Sequence, residues 1–153
     1  MDHRPLNWHA PNWLNVSATV ANFAHCIAIV DDEAPVRRAL ERLLRSAGLV
    51  PRGFASGGEF LASLATRHPD CVVADLHMPG MSGLDLVRCL RLMDLRLPVV
   101  VITAYDEPSS RARCIAAGAV AYQLKPLDER VLLDAIALAI GPRSNSACRP
   151  DLI

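Results

Sequence analysis

A short apolar run, Cys71-Val72-Val73-Ala74, ends in a single carboxylate at Asp75 and is followed at once by a loop rich in proline and glycine. A run of this length, bounded by turn residues, predicts a β-strand that is buried on both faces. Such strands occur in parallel sheets that are covered by helices. Because ligands bind outside the carboxyl ends of the strands in open α/β sheets, Asp75 is a candidate functional residue. Taken alone, it could also be an ordinary polar residue at a strand–loop junction.

Four further segments repeat this pattern of a strand followed by a helix. Apolar runs predict strands at residues 26–30, 98–102 and 119–124, and a weaker one at 49–55. Apolar residues at helical spacing follow each strand, and helix-start and helix-stop signals surround them: Pro35 with Gly48, Ser56 with Glu59, Ser82 with Asp85, Gly118, and Asp128 with Gly141. Five such units predict an α/β fold, a doubly wound five-stranded parallel sheet with helices on both faces.

The chain divides into three predicted segments. Residues 26–141 carry the repeating pattern and form one domain, which a length of 153 residues favours. Residues 1–25 show no clean period and are predicted to be a flexible N-terminal extension; its tryptophans, Trp8 and Trp13, alternatively suggest a segment that docks on a partner. Residues 142–153 are predicted to be a C-terminal tail.

Composition narrows the function classes. Lysine plus arginine and aspartate plus glutamate number 16 each, so the net charge is zero. Together with the lack of a helix-turn-helix region after the last predicted helix, this predicts no direct nucleic-acid binding by this chain, with a local basic patch as the alternative. No apolar stretch is long enough to span a membrane, and the N-terminus lacks the apolar core of a signal peptide. Five cysteines without a C-x-x-C pair favour a reducing, cytoplasmic location over a disulfide framework.

Polar residues follow four of the predicted strands: Asp31 and Asp32, Asp75, Thr103, and Lys125. The carboxyl ends of parallel strands share one edge, so these groups can meet there. Carboxylates that lie together repel one another, and a hard cation such as Mg²⁺ relieves the repulsion. With the ammonium and the hydroxyl, the metal would form an electrophilic cradle for a phosphoryl group, and Asp75 would be the nucleophile. Individually, the paired aspartates could cap a helix, Thr103 could be a plain strand residue, and Lys125 could be a solvated charge.

The sequence resembles the receiver domain of two-component response regulators. The resemblance rests on Asp31-Asp32 after IAIV, Asp75 within VVADLHMPGMSG, Thr103-Ala104 after VVVI, and Lys125-Pro126 within AYQLKP. It covers about residues 26–140 and implies a flavodoxin-like fold with the strand order 2-1-3-4-5.

The resemblance also implies a role for each of these residues. Asp75 would accept a phosphoryl group from a sensor histidine kinase or a phosphotransfer protein. Mg²⁺ would be bound by Asp32, Asp75 and the backbone carbonyl of His77, with Asp31 acting largely through water. Thr103 and Lys125 would bind phosphoryl oxygens, Thr103 and Tyr122 would form the switch, and the Lys125–Pro126 bond would be cis. Such a domain catalyses only its own phosphorylation and dephosphorylation, and it is otherwise not an enzyme.

The output of the domain is less constrained. The resemblance implies that a downstream protein, or a second copy of the chain, binds the face built from residues 106–140. The segment after residue 141 is too short for a helix-turn-helix. We therefore expect either a stand-alone receiver or a fragment separated from a DNA-binding domain that regulates transcription. His77 and Tyr105 occupy positions that tune dephosphorylation in this family, which leaves the lifetime of the acyl phosphate open.

Three other functions are compatible with parts of the pattern. A Mg²⁺-dependent phosphohydrolase could use Asp75 as nucleophile, but it would need a general acid, for which only His77 is available, and an insertion covering the substrate. A flavodoxin-like cofactor binder would need a phosphate-binding loop where the acidic Asp31-Asp32-Glu33 stands. A receiver-like scaffold that no longer switches would not need the intact set of polar residues.

Overall fold

The computed structural model describes residues 24–141, in which five strands alternate with five helices. In chain order these are β1 (Cys26–Val30), α1 (Ala34–Ser46), β2 (Val50–Phe54), α2 (Gly57–Ser63), β3 (Cys71–Asp75), α3 (Gly83–Leu92), β4 (Val99–Thr103), α4 (Pro108–Ala117), β5 (Ala121–Leu124) and α5 (Glu129–Ile140). The predicted tail at 142–153 lies outside the described residues, as does the predicted extension apart from Ala24 and His25.

All five strands are parallel, and their order is β2-β1-β3-β4-β5, which confirms the predicted doubly wound sheet. Their register aligns the carboxyl ends: Val30 pairs with Ala74, Asp75 with Ile102, and Thr103 with Leu124. The residues that directly follow these pairs therefore leave the sheet at the same level. This alignment places the predicted polar residues along one edge.

The sheet is buried on both faces because successive strand residues point to opposite sides. On one face, side chains such as Ala28, Val72 and Val101 pack with Phe60 of α2 and Leu90 of α3. On the other face, the core residues are Ile27, Ile29, Val73, Val100 and Ile102 from the strands, with Leu40, Leu44, Leu132 and Ile136 from α1 and α5. Strands β1, β3 and β4 have no exposed residue, as continuous apolar runs predict.

Strand boundaries lie within one residue of the predicted ones and the helices follow the predicted signals, apart from three differences. Ser82 and Asp85 form a full capping box at α3. At α2 only half of the predicted box forms, because the Glu59 carboxylate accepts from the N–H of Ala55 and not from that of Ser56. The N-cap of α1 is Glu33, so neither Asp31 nor Asp32 caps that helix.

The third difference is the start of β5, which begins at Ala121 instead of residue 119. The N–H of Ala119 donates to the carbonyl of Cys114 at 2.9 Å and so completes the C-terminal turn of α4. Gly118 allows this turn because its φ is 122°, a backbone conformation that residues with a side chain rarely adopt. The Lys125–Pro126 bond is cis, as predicted.

The prediction of reduced cysteines holds at three of the described positions and not at the fourth. Cys71, Cys89 and Cys114 are free thiols, and burial raises the pKa of Cys71 to about 12. Cys26 is disulfide-bonded, so the expectation of reduced cysteines is wrong at this position. A cysteine count cannot reveal such a bond, because pairing depends on which chain segments meet in the folded protein. Among the described residues, no helix combines the length and apolar character needed to cross a membrane.

Gly83 provides a test of how closely α3 packs beneath the predicted site. A Cβ atom added there would lie 2.6 Å from the backbone oxygen of Asp75, whereas one at Gly58 would meet nothing closer than 3.9 Å. We expect Gly83→Ala to lower the free energy of unfolding by about 2 kcal/mol or more, because the backbone must shift to admit the methyl group. Gly58→Ala is the matched control and should be neutral or stabilising by up to about 1 kcal/mol. Urea denaturation measures both, and equal stabilities would contradict the close packing.

Candidate functional site

The carboxyl edge of the sheet brings three charged groups from three strands together. The Nζ atom of Lys125, directly after β5, lies 3.1 Å from Oδ2 of Asp31 and 3.3 Å from Oδ1 of Asp75. Asp31 is fully buried, and Asp75 is 5% exposed. A charged group is tolerated in such a place only when it is paired. The ammonium therefore holds the ends of β1 and β3 together.

Asp31 is further fixed by its own loop. Its Oδ1 accepts a hydrogen bond from the N–H of Glu33 at 2.9 Å, and its backbone carbonyl accepts from Nη1 of Arg37 at 2.6 Å. Both carboxylate oxygens thus have protein partners. Asp32 is exposed, so its carboxylate is more accessible to a metal ion than that of Asp31.

The pKa values reflect this crowding. Burial raises the pKa of Asp75; Lys125 opposes the rise, and the negative charges of Asp31 and Asp32 add to it. Burial alone would lower the pKa of Lys125, but its contacts with Asp31 and Asp75 outweigh this effect and raise it. One ammonium therefore does not fully compensate the carboxylates around it.

The three carboxylates are placed where a cation could relieve this imbalance. Asp31, Asp32 and Asp75 each offer one oxygen, and these oxygens all lie within 4.8 Å of one another. Such an oxygen set fits a hard divalent cation. The side chain of His77 turns away, with its Nε2 atom 3.7 Å from Oε1 of Glu107, so only its backbone could take part.

Thr103 reaches the same edge but faces its own loop. It is fully buried; its Oγ1 atom accepts from the N–H of Tyr105 at 3.1 Å and can donate to the Tyr105 carbonyl at 3.3 Å. Its hydroxyl is therefore not engaged with the carboxylates. The structure brings together Asp31, Asp32, Asp75 and Lys125, while Thr103 lies at the rim of the site.

Two acidic residues near the site were missed by sequence reasoning. Oε1 of Glu33 lies 3.9 Å from Nζ of Lys125, and Glu107 contacts His77 from the start of α4. The rings of His77 and Tyr105 meet edge to face, with their centroids 5.3 Å apart. The acidic run that contains Glu33 was a usable signal, but nothing in the sequence marks Glu107, because its partner lies on another loop.

Tyr122 already lies inside the protein, with only 4% of its surface exposed. The Arg111 guanidinium lies 5.4 Å from the centroid of its ring, and Nη2 of Arg111 donates to its carbonyl at 3.3 Å. The Tyr122 hydroxyl is buried; burial raises its pKa, and an interaction with the Ser110 side chain opposes the rise. The ring therefore needs no large movement to become buried.

The raised pKa of Asp75 has a consequence for stability. A carboxyl whose pKa is higher in the folded than in the unfolded state destabilises the fold once it ionises, so this cost is present above the folded pKa and disappears below the unfolded value. Without divalent cations, we expect Asp75→Asn to raise the melting temperature at neutral pH, and the gain to shrink as the pH falls toward about 4. Thermal melts at several pH values measure this, with Asp134→Asn, an exposed position on α5, as the control. A melting temperature that is unchanged or lowered at neutral pH would contradict the net destabilisation.

Comparisons with known proteins agree with this geometry. Residues 27–137 match the family model described as the response regulator receiver domain. The chain is 39% identical over 100 residues to the DNA-binding transcriptional regulator NtrC of Salmonella typhimurium, which is 65% of this chain and 21% of that protein. It is 37% identical over 125 residues to the response regulator protein TodT of Pseudomonas putida, or 80% of this chain and 55% of the relative. The chain thus spans from about a fifth to about half of these curated relatives.

Solved structures show the same similarity. The crystal structure of FixJ-N has a TM-score of 0.69 and 35% identity, covering 76% of this chain and 93% of that one. A response regulator receiver protein from Burkholderia phymatum has a TM-score of 0.68 and 40% identity, covering 76% and 94%. On the family match, the fold and the arrangement of charged groups, the chain belongs to the response regulator receiver domain family.

Proposed function

We propose that Asp75 accepts a phosphoryl group from the phosphohistidine of a sensor histidine kinase or phosphotransfer protein, with Mg²⁺ bound beside it. The observation that carries this proposal is the Lys125 ammonium, which contacts both Asp31 and Asp75 next to a set of three carboxylates. A buried nucleophile, a fixed cation and metal-ligating oxygens together suit phosphoryl transfer, in which positioning and charge stabilisation supply most of the catalysis. The family membership supports the same role.

In the proposed reaction, an oxygen of Asp75 attacks phosphorus. The bond between phosphorus and the donor's imidazole nitrogen breaks, and its electron pair returns to that nitrogen. Oδ1 of Asp75 contacts Lys125, which leaves Oδ2 as the attacking atom. Lys125 then pairs with a phosphoryl oxygen. Mg²⁺, held by Asp32, Asp75 and the His77 carbonyl with Asp31 in support, would supply the additional positive charge.

Acetyl phosphate tests the nucleophile without requiring the cognate kinase. With Mg²⁺, we expect the chain to gain one phosphoryl group by intact mass, and Asp75→Asn to abolish the gain because an amide is a poor nucleophile. Asp134→Asn, which removes an exposed carboxylate on α5, should label like wild type. Chelation of the metal should also prevent labelling. Equal labelling of wild type and Asp75→Asn would exclude Asp75 as the acceptor.

The phosphodonor protein needs a surface beside Lys125. A largely apolar groove lies there, lined by Pro35, Val36 and Leu40 near and within α1 and by Pro126 and Leu127 after β5. Amphipathic helices bind by placing their apolar face in a hydrophobic groove. We infer that the donor's phosphohistidine-bearing helix packs in this groove.

In the proposed switch, Thr103 is the residue that moves. Its hydroxyl bonds Tyr105 in the described structure, so reaching a phosphoryl oxygen requires it to exchange these contacts. That exchange would pull on residues 104–107, which are exposed and lead directly into α4. Tyr122 lies buried behind the loop, and phosphorylation would hold its ring there instead of drawing it inward. Partner binding to the face built from residues 106–140 would then be a population shift.

Thr103→Val isolates the hydroxyl because the two side chains are nearly equal in shape. Beryllofluoride with Mg²⁺ can stand in for the phosphoryl group at Asp75. We expect amide chemical-shift changes at residues 104–122 in wild type and their loss in Thr103→Val, whereas Thr66→Val should behave like wild type, since Thr66 is exposed and bonds only Ser63. Identical responses in all three proteins would show that Thr103 does not transmit the signal.

The relatives indicate where such a switch acts. NtrC is named a DNA-binding transcriptional regulator, and this chain matches about a fifth of it. We propose that the chain is the cytoplasmic receiver part of a transcription-regulating pathway, and that it acts on a partner or on an output domain. No observation favours the phosphohydrolase alternative: the one acid candidate, His77, directs its side chain toward Glu107.

A further inference from the structure

The surface between α3 and α4 forms a groove that the phosphorylation chemistry does not use. It encloses about 620 Å³ and is lined by Arg88, Arg91, Leu92, Arg113, Ala116 and Ala117. Three arginines thus surround one concave surface whose remaining lining is apolar. The chain as a whole has zero net charge, so this cluster of cations is a local feature of the surface.

The arginines of this groove differ in their hydrogen-bond and salt-bridge partners. Nη1 of Arg91 donates to the carbonyl of Ala117 in the last turn of α4, which fixes its side chain across the groove. Within residues 24–141, neither Arg88 nor Arg113 forms a salt bridge. The hydrogen bonds of Asp85 with Ser82 are the larger cause of its lowered pKa, and the charge of Arg88 contributes less. In the described part of the chain, these two exposed guanidinium groups therefore form no salt bridge with a carboxylate.

Apolar side chains lie directly beside these cations. Leu92, the last residue of α3, lines the groove and is 86% exposed, and the next residue, Met93, is 48% exposed. Ala116 and Ala117 are small, so they leave room for side chains that enter from outside. Adjacent exposed apolar residues next to a polar rim are typical of a protein interaction site.

We propose that this α3–α4 groove binds an acidic amphipathic helix of a partner protein. Carboxylates on such a helix would pair with Arg88 and Arg113, since guanidinium forms strong, often bidentate contacts with carboxylates. The apolar face of the helix would cover Leu92 and the two alanines. The ten residues of α3 span about 15 Å, enough to contact roughly three turns of a helix. Nucleic acid would satisfy the arginines but would leave the apolar lining uncovered. Arg113, Ala116 and Ala117 also belong to the face of residues 106–140, but the contacts proposed here need no phosphoryl group at Asp75.

A designed peptide tests this proposal with the full 153-residue chain. The probe is a fluorescein-labelled peptide of about 18 residues, with leucines at helical spacing on one face and glutamates elsewhere, long enough to form a helix on binding. We expect saturable binding by fluorescence anisotropy, weakened about tenfold or more by Arg88→Glu with Arg113→Glu. Arg38→Glu with Arg42→Glu, an exposed arginine pair on α1, is the matched control and should bind like wild type. Leu92→Ser should weaken binding severalfold without unfolding the chain, because the side chain is exposed.

Control ligands separate the contribution of peptide charge to binding from that of its apolar helical face. A scrambled peptide of the same composition, which lacks an apolar face, should bind at least severalfold more weakly. Circular dichroism should show unchanged folding of every variant. The proposal is overturned if the designed peptide does not bind, if both arginine pairs matter equally, or if scrambling has no effect. Tighter binding of a DNA duplex that is lost only in the Arg88/Arg113 variant would assign the groove to nucleic acid instead.

Discussion

The contact of one ammonium with two buried carboxylates is the constraint on which the functional edge depends. Lys125 follows the edge strand β5, yet its Nζ atom reaches past the end of β4 to Asp75 and Asp31 at the ends of β3 and β1. Buried charges are costly when unpaired, so this contact forms only if the strands hold their register. A shift of β5 by one residue would direct Lys125 to the other face. The contact of Lys125 with the two aspartates and the register of the strands therefore depend on each other.

The packed sheet makes that register reliable. Its three inner strands are buried on both faces, so each strand residue has a core on one side or the other. Helix α3 adds a second restraint, because Gly83 lies so close to the Asp75 carbonyl that no side chain fits between them. The Gly83 N–H also donates to the carbonyl of Leu76 at 3.0 Å. Asp75, the proposed nucleophile, is thus held from the strand side and from the helix side.

The two halves of the site differ in how firmly they are held. Asp31 and Lys125 have several contacts each and are mostly buried, which suits groups that must be in place before phosphoryl transfer. The loop after Thr103 is exposed, and the contacts of His77, Tyr105 and Glu107 lie at its surface. Contacts near the surface can exchange at small cost in free energy. This contrast suits the proposed switch, which needs a firmly held reaction site beside a loop whose hydrogen bonds can exchange.

Local signals in the sequence determined the elements, and non-local contacts decided the rest. Apolar runs and capping residues predicted all five strands and helices and placed Asp31, Asp75 and Lys125 at one edge, because periodicity and capping act within a few residues. The strand order came from the family resemblance. Sequence reasoning could not place the Tyr122 ring in the interior, assign Glu107 to His77, reveal the bonded state of Cys26, or collect Arg88 and Arg113 in one groove. Each of these depends on which side chains from distant parts of the chain become neighbours, and only tertiary packing decides that.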